Sequence, residues 1–109
     1  MSGEPAFTGP ADLETLALFD ISPSRTSSVK FEDGAVTNWH SHEGGQVIYV
    51  VSGSGRYCER GGTEKPLVAG QHVIAAGGVD HYHGAAEGAA LHHITVSAGE
   101  TTWKEAPEL

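Results

Sequence analysis

Four histidines of this 109-residue chain form two pairs, His40 with His42 and His81 with His83, each with one residue between its members. Successive side chains of an extended strand point to opposite faces, so both members of a pair share a face and can bind one metal ion. Gln46 lies an even number of residues beyond His42 and returns to that face if the strand resumes after the intervening glycines. The sequence therefore predicts neutral nitrogen and oxygen donors around one divalent metal.

Two facing pairs supply more imidazoles than a structural metal site needs, which leaves a histidine free for proton transfer. Histidine suits this role because its unperturbed pKa of about 6.5 lies near neutral pH. Neutral ligands also leave the ion its full charge, which favours lyase, isomerase or hydrolase chemistry over oxygenase chemistry. His83 could instead brace His81 or act as a ligand itself, and strand alternation alone does not choose between His92 and His93 as a further candidate.

Short strand-forming segments, separated by turn residues and without intervening helices, predict an all-β single domain built as an antiparallel sandwich or barrel. The predicted strands cover residues 27–31, 36–40, 46–51, 55–59, 64–67, 72–75 and 91–97. The glycine-rich run 52–55 is expected to be one of the turns. Residues 13–19 could form a short helix or an edge strand, and residues 1–12 are expected to be a loose arm.

The predicted strand 46–51 is apolar on both faces beyond its first residue. Val47, Tyr49 and Val51 point away from the face of Gln46 and need cover. A second subunit is the simplest cover, although an N-terminal segment folding back would also serve. We therefore expect a homodimer.

The composition limits the partners and the compartment. A net charge of −8 argues against nucleic acid or an anionic membrane and leaves a small molecule as the expected partner. Cys58 is the single cysteine, so no internal disulfide forms, and we expect it to fill space in a strand. The sequence shows neither a signal-peptide pattern nor a membrane-spanning apolar run, so the expected location is the cytoplasm.

The histidines, together with the glycines on either side of them, resemble the two sequence motifs of the cupins. The first motif is matched by Gly34, His40, His42, Gln46 and Gly53, and the second by Gly70, Gly78 and His81. Gln46 stands where most cupins have glutamate, and the usual proline of the second motif is absent. The resemblance implies a single-domain cupin across residues 1–109, a jelly-roll β-barrel of antiparallel strands with its metal-binding barrel at about residues 27–98.

Within the cupins, the strings at residues 37–42 and 81–85 are similar to manganese-dependent bacterial members, including cupin hydroxynitrile lyases and carboxymuconolactone-decarboxylase-associated proteins. This similarity implies one divalent metal per chain held by His40, His42, Gln46 and His81, with His83 and His93 as catalytic histidines beside it. The implied metal is Mn²⁺, and Fe²⁺, Zn²⁺, Ni²⁺ or Co²⁺ would also suit the donors. Ser97 follows His93 on the same face, where some lyase relatives carry a longer polar side chain.

The implied activity is that of a metal-dependent lyase that cleaves or forms a carbon–carbon bond, as in cyanohydrin cleavage. A metal-dependent cyclase, isomerase or dioxygenase of small-molecule metabolism is a second hypothesis. A noncatalytic cupin that binds a small ligand is a third.

Overall fold

The computed structural model describes residues 6–19 and 24–109, and every regular element within them is a strand. The strands are β1 (Ala11–Phe19), β2 (Ser24–Phe31), β3 (His40–His42), β4 (Gln46–Glu59), β5 (Lys65–Val68), β6 (His72–Ala75), β7 (His81–Ala85), β8 (Leu91–Ala98) and β9 (Thr101–Trp103). Within these ranges, no helix is long and apolar enough to cross a membrane.

The strands form one curled antiparallel sheet with two halves, and the long strand β4 runs from one half into the other. The first part of β4 pairs with β8 and β6, and its second part pairs with β7 and β5. Beyond β8 the first half continues through β2 to the edge strand β1, and beyond β7 the second half continues through β3 to β9. This arrangement confirms the predicted all-β jelly-roll fold of antiparallel strands.

The glycine-rich run 52–55 lies inside β4 and is not the turn that the sequence predicted. A bulge between Val50 and Ser52, followed by a φ of 91° at Gly53, bends the strand from one half of the sheet into the other. A Cβ at Gly53 would lie 2.2 Å from the carbonyl oxygen of Ala90, so only glycine fits there. The run bends without reversing because the residues on both sides keep their strand partners.

Other segments differ from the sequence prediction in smaller ways. Residues 13–19 belong to the edge strand β1 and not to a helix. The predicted strand 36–40 is reduced to isolated bridges, such as the one between Val36 and Gly84, and regular pairing begins at His40. Strands β7 and β9 were not delimited from the sequence, because histidine, glycine and threonine dominate them.

The described part of the predicted N-terminal arm, residues 6–12, is attached to the barrel, contrary to the expectation of a loose arm. The backbone N–H of Thr8 donates to the carbonyl oxygen of Val36 at 2.7 Å. The ring of Phe7 packs edge-to-face on Phe31, with centroids 5.7 Å apart. Packing of this ring against the hydrophobic core holds the segment on the barrel. Residues 1–5 of the arm lie outside the described residues.

The two faces of β4 are as predicted. Ile48 and Val50 are fully buried in the core, whereas Val47, Tyr49 and Val51 are 40%, 47% and 39% exposed. The inner face of the barrel therefore contains both an apolar core and, toward the start of β4, the predicted site.

Candidate metal centre and cavity

Four imidazole rings meet inside the barrel because β3 and β7 lie side by side with His40 opposite His81. The ring centroid of His40 lies 4.9 Å from that of His42, 4.4 Å from that of His81 and 5.1 Å from that of His83. One nitrogen of each of His40, His81 and His83 lies within 4.8 Å of the other two. These three buried histidines can hold a metal ion.

Hydrogen bonds at Nδ1 orient three of the rings. Nδ1 of His40 and Nδ1 of His81 each donate to the carbonyl oxygen two residues earlier in the chain, at 2.9 and 3.0 Å. Nδ1 of His42 lies 2.8 Å from the hydroxyl oxygen of Thr101. Such contacts are typical of metal-binding histidines, because a proton held at Nδ1 leaves the Nε2 lone pair free for a ligand. Sequence reasoning missed Thr101, which lies on the undelimited strand β9.

The side chain of Gln46 is held in one orientation. Its Nε2 donates to the hydroxyl oxygen of Ser97 at 2.9 Å, and its Oε1 lies 2.9 Å from Nε2 of His81. The amide therefore turns its oxygen, the atom that a divalent cation prefers, toward the histidines. Ser97 thus orients the predicted oxygen ligand, which its position in the sequence did not indicate.

Three buried nitrogens have no hydrogen-bond partner among the described residues: Nε2 of His42, Nε2 of His83 and Nδ1 of His93. Buried polar atoms are rarely left unpaired, and a cation coordinated by Nε2 of His42 or His83 would satisfy that atom. The donor set therefore fits a divalent metal. The trio identified by distance contains His83, whereas the predicted set contains His42 and Gln46, so the exact set of ligands stays a prediction.

Burial keeps the candidate ligands neutral. It lowers the pKa of His40 to about 3 and the pKa of His42 to about 4, and the neighbouring His81 adds to both effects. Burial also lowers the pKa of His81. A neutral imidazole is the form that binds a metal.

His83 and His93 form a second buried pair beside these rings. Nδ1 of His83 lies 2.8 Å from Nε2 of His93, and the ring of Phe31 packs against His93 with centroids 5.0 Å apart. Burial lowers the pKa of His83 well below its usual value and that of His93 to about 4. His92 lies on the opposite face of β8, where its Nε2 is 2.7 Å from the hydroxyl oxygen of Ser28.

The histidine cluster opens into a cavity of about 670 Å³. His40, His42 and His83 form its buried end, whereas His93 is not among the described residues that line it and reaches it through His83. The hydroxyl groups of Ser27 and Thr95, which face each other across β2 and β8, form part of its wall. Leu13, Arg25, Glu100 and Trp103 form the exposed rim. A small organic molecule fits a cavity of this size.

The sequence profile of the Cupin_2 family, described as a cupin domain, matches residues 27–101. The chain belongs to the cupin family. The first cupin motif contains His40 and His42, the second contains His81, and the fold of this cupin places the two motifs side by side.

The similar proteins include an enzyme and solved structures. The (R)-mandelonitrile lyase of Granulicella tundricola is 39% identical over 70 residues, which are 64% of this cupin and 53% of that protein, so the match spans about half of its length. A cupin-like protein from Thermotoga maritima MSB8 superposes with a TM-score of 0.85 at 37% identity and covers 92% of this cupin and 80% of that chain. The polyketide cyclase RemF from Streptomyces resistomycificus shares the fold, with a TM-score of 0.75 at 18% identity over 99% of this cupin and 78% of that chain.

Cys58 is buried in β4, as expected of a residue that fills space in a strand. The rings of Trp39 and Tyr82 pack together with centroids 5.0 Å apart. His72 is exposed on β6. Sequence reasoning missed the hydroxyl pair of Ser27 and Thr95, because isolated serines and threonines in strands have no distinctive spacing.

Proposed function

We propose that this cupin is a metal-dependent lyase that cleaves or forms a carbon–carbon bond at a carbon bearing a hydroxyl or carbonyl oxygen, as a hydroxynitrile lyase does. The observation that carries the proposal is the 39% identity to a protein named (R)-mandelonitrile lyase. The site supports it, because buried histidines that can hold a metal adjoin a neutral histidine pair and open into a cavity for a small molecule.

We propose one divalent ion per chain, Mn²⁺, with Fe²⁺, Zn²⁺, Ni²⁺ and Co²⁺ as the other ions that these donors suit. The proposed ligands are His40, His42, Gln46 and His81. When bound, such an ion supplies Lewis acidity toward a hydroxyl or carbonyl oxygen. All four ligands are neutral, so none of them cancels part of that charge.

His83 is the proposed proton acceptor. It lines the cavity, and the lowered pKa that burial imposes leaves it neutral and able to take a proton at about pH 7. If Nδ1 donates to Nε2 of His93 at 2.8 Å, the unpartnered Nε2 of His83 is the basic atom. His93 then orients His83 and stabilises the charge that His83 acquires.

For a cyanohydrin, the hydroxyl proton passes to Nε2 of His83. The bond to the nitrile carbon breaks, its electron pair leaves with cyanide, and the carbonyl π bond forms from the electrons of the former O–H bond. His83 then returns the proton to cyanide, which leaves as HCN. The hydroxyl groups of Ser27 and Thr95 are placed to hydrogen-bond the substrate and limit its orientation.

The direct test is release of benzaldehyde from mandelonitrile by Mn²⁺-loaded protein. We expect steady turnover, which chelation should abolish and Mn²⁺ should restore. The control His92→Ala, a matched change on the outer face, should not affect turnover. Oxygen consumption without cyanohydrin turnover would instead support a dioxygenase. Ligand binding without any turnover would support a noncatalytic cupin.

We also propose that the chain forms a homodimer in the cytoplasm. The side chains of Val47, Tyr49 and Val51 are exposed, and the described N-terminal strand pairs with β2 at the edge of the sheet instead of covering them. A second copy of the chain would bury them. The cytoplasm agrees with a single cysteine, Cys58.

A further inference from the structure

Arg25 is an exposed residue at the mouth of the cavity. It lies on the inner face of β2, two residues before the buried Ser27, and its Cα partner on β8 is Ser97. Ser97 in turn binds the amide of Gln46, so Arg25 stands close to the candidate metal centre. Histidines aside, Arg25 is the cationic side chain among the described residues that line the cavity.

The guanidinium of Arg25 makes no hydrogen bond or ion pair to any residue of the ranges 6–19 and 24–109. The other two arginines differ. Arg56 donates to the carbonyl oxygens of Ala85 and Gly34, and Arg60 pairs with Glu105. Within the described part of the chain, Arg25 is therefore the arginine whose donors have no partner at a cavity.

The charge of Arg25 also acts on the centre itself. It contributes to the lowering of the pKa of His42, after burial, which is the largest cause, and after the effect of His81. The mouth contains a carboxylate as well, that of Glu100, which forms no ion pair with Arg25 in the described structure. One guanidinium beside one acid suits a singly charged anion better than a dianionic phosphate.

We propose that Arg25 binds a carboxylate of the substrate, so that the natural substrate of this cupin is an anionic hydroxy or carbonyl compound whose carboxylate is remote from the reacting carbon. The planar guanidinium presents paired N–H donors that match the two oxygens of a carboxylate. The reacting end of the molecule would then point toward His83 at the buried end of the cavity. This assignment of the substrate class rests on the proposed lyase function.

The test is binding of three aldehydes to the Mn²⁺-loaded protein in the absence of cyanide, measured by calorimetry. The probes are 4-formylbenzoate, its neutral methyl ester and benzaldehyde. We expect 4-formylbenzoate to bind at least about tenfold more tightly than the methyl ester, the scale of a hydrogen-bonded ionic contact. Arg25→Gln should remove this preference, Glu100→Gln should increase it, and Lys30→Gln, which removes a positive charge from the exposed outer face of the same strand, should leave it unchanged.

A preference that persists in Arg25→Gln would overturn the proposal, because the carboxylate would then be bound elsewhere, for example by the metal. Equal binding of the acid and the ester to the unmodified protein would overturn it as well. Cyanide is absent, so the result does not depend on turnover. A preference that requires Arg25 in a protein without lyase activity would retain the carboxylate site and reject the lyase function.

Discussion

From His93 to Ser97, the two faces of β8 reverse the usual distribution of polarity in a sheet. His93, Thr95 and Ser97 point into the barrel, and the first two are 0% and 4% exposed, whereas Ile94 and Val96 point outward. In a simple half-buried strand, the apolar residues would face inward. On the inner face, Thr95 and Ser97 line the cavity, and His93 contacts His83, which lines it as well. The exposed apolar groups on the outer face are those that the proposed dimer would bury.

The same contrast extends to β4. On the inner face, the amide of Gln46 is bound by Ser97. On the outer face, Val47 lies between Val96 of β8 and Ile74 of β6, and these side chains are 40%, 41% and 67% exposed. At the start of β4, a hydrogen bond therefore organises the inner face, whereas the outer face is an apolar stripe that no described residue covers.

Loss of the metal is the largest effect expected from a change on the inner face. His42→Ala should abolish stoichiometric metal binding, measured by elemental analysis, and lower the melting temperature, because the metal binds only the folded state. His83→Ala should retain the metal. The opposite pattern would assign His83 to the ligand set in place of His42, as the distances among His40, His81 and His83 allow.

The adjacent residues His92 and His93 allow the outer and inner faces of β8 to be compared by single substitutions. His93→Ala should lower turnover of mandelonitrile by about a hundredfold, as should His83→Ala, because both would disrupt proton transfer. His92→Ala should have no effect, since His92 bonds Ser28 on the outer face. Full activity of both inner-face variants would reject the proposed proton acceptor.

The charge of the ligand set gives a smaller effect. Gln46→Glu should keep the metal but lower turnover at equal metal occupancy, because a carboxylate cancels part of the charge of the ion. Ser97→Ala should reduce metal affinity by about tenfold or more, since it frees the Gln46 amide to rotate. Unchanged turnover in Gln46→Glu would reject the charge argument. Unchanged metal affinity in Ser97→Ala would reject the role of Ser97 in orienting the amide.

The inner histidines should also make the chelated protein sensitive to acid. Burial lowers the pKa of His40 to about 3 and that of His42 to about 4, whereas unfolded histidines titrate near pH 6.5. As the pH falls below about 6.5, the unfolded chain takes up protons that the folded chain does not, so stability falls toward about pH 4. The melting temperature of the chelated protein should therefore drop between about pH 7 and about pH 5, and a constant value would contradict this expectation.

The sequence predicted the parts of the molecule that depend on regular spacing. Strand alternation placed His40 and His42 on one face, and the same alternation turned Val47 and Tyr49 outward. Contacts between distant strands were not predictable, because spacing along a chain does not say which strands pair. Thr101 beside His42 is such a contact.

Residues 52–55 show a different limit of prediction. Glycine-rich runs are typical of turns, yet this run continues as a strand. Many tight turns use a residue with a positive φ, and so does this bend between two halves of the sheet, at Gly53. Only the pairing of the flanking residues distinguishes the two.

A substitution on the outer face should have the smallest effect on activity and a large effect on assembly. Tyr49→Glu should convert a homodimer into a monomer in analytical ultracentrifugation, because it places a charge in the apolar stripe of Val47, Ile74 and Val96. Metal content should be unchanged and turnover should fall by no more than about threefold, since Tyr49 points away from the cavity. The control is Lys30→Glu, which changes an exposed charge on β2, a strand that β8 separates from β4, and should leave the dimer intact. An unmodified protein that sediments as a monomer would reject the second copy as the cover of this face, and the apolar stripe would then require another partner.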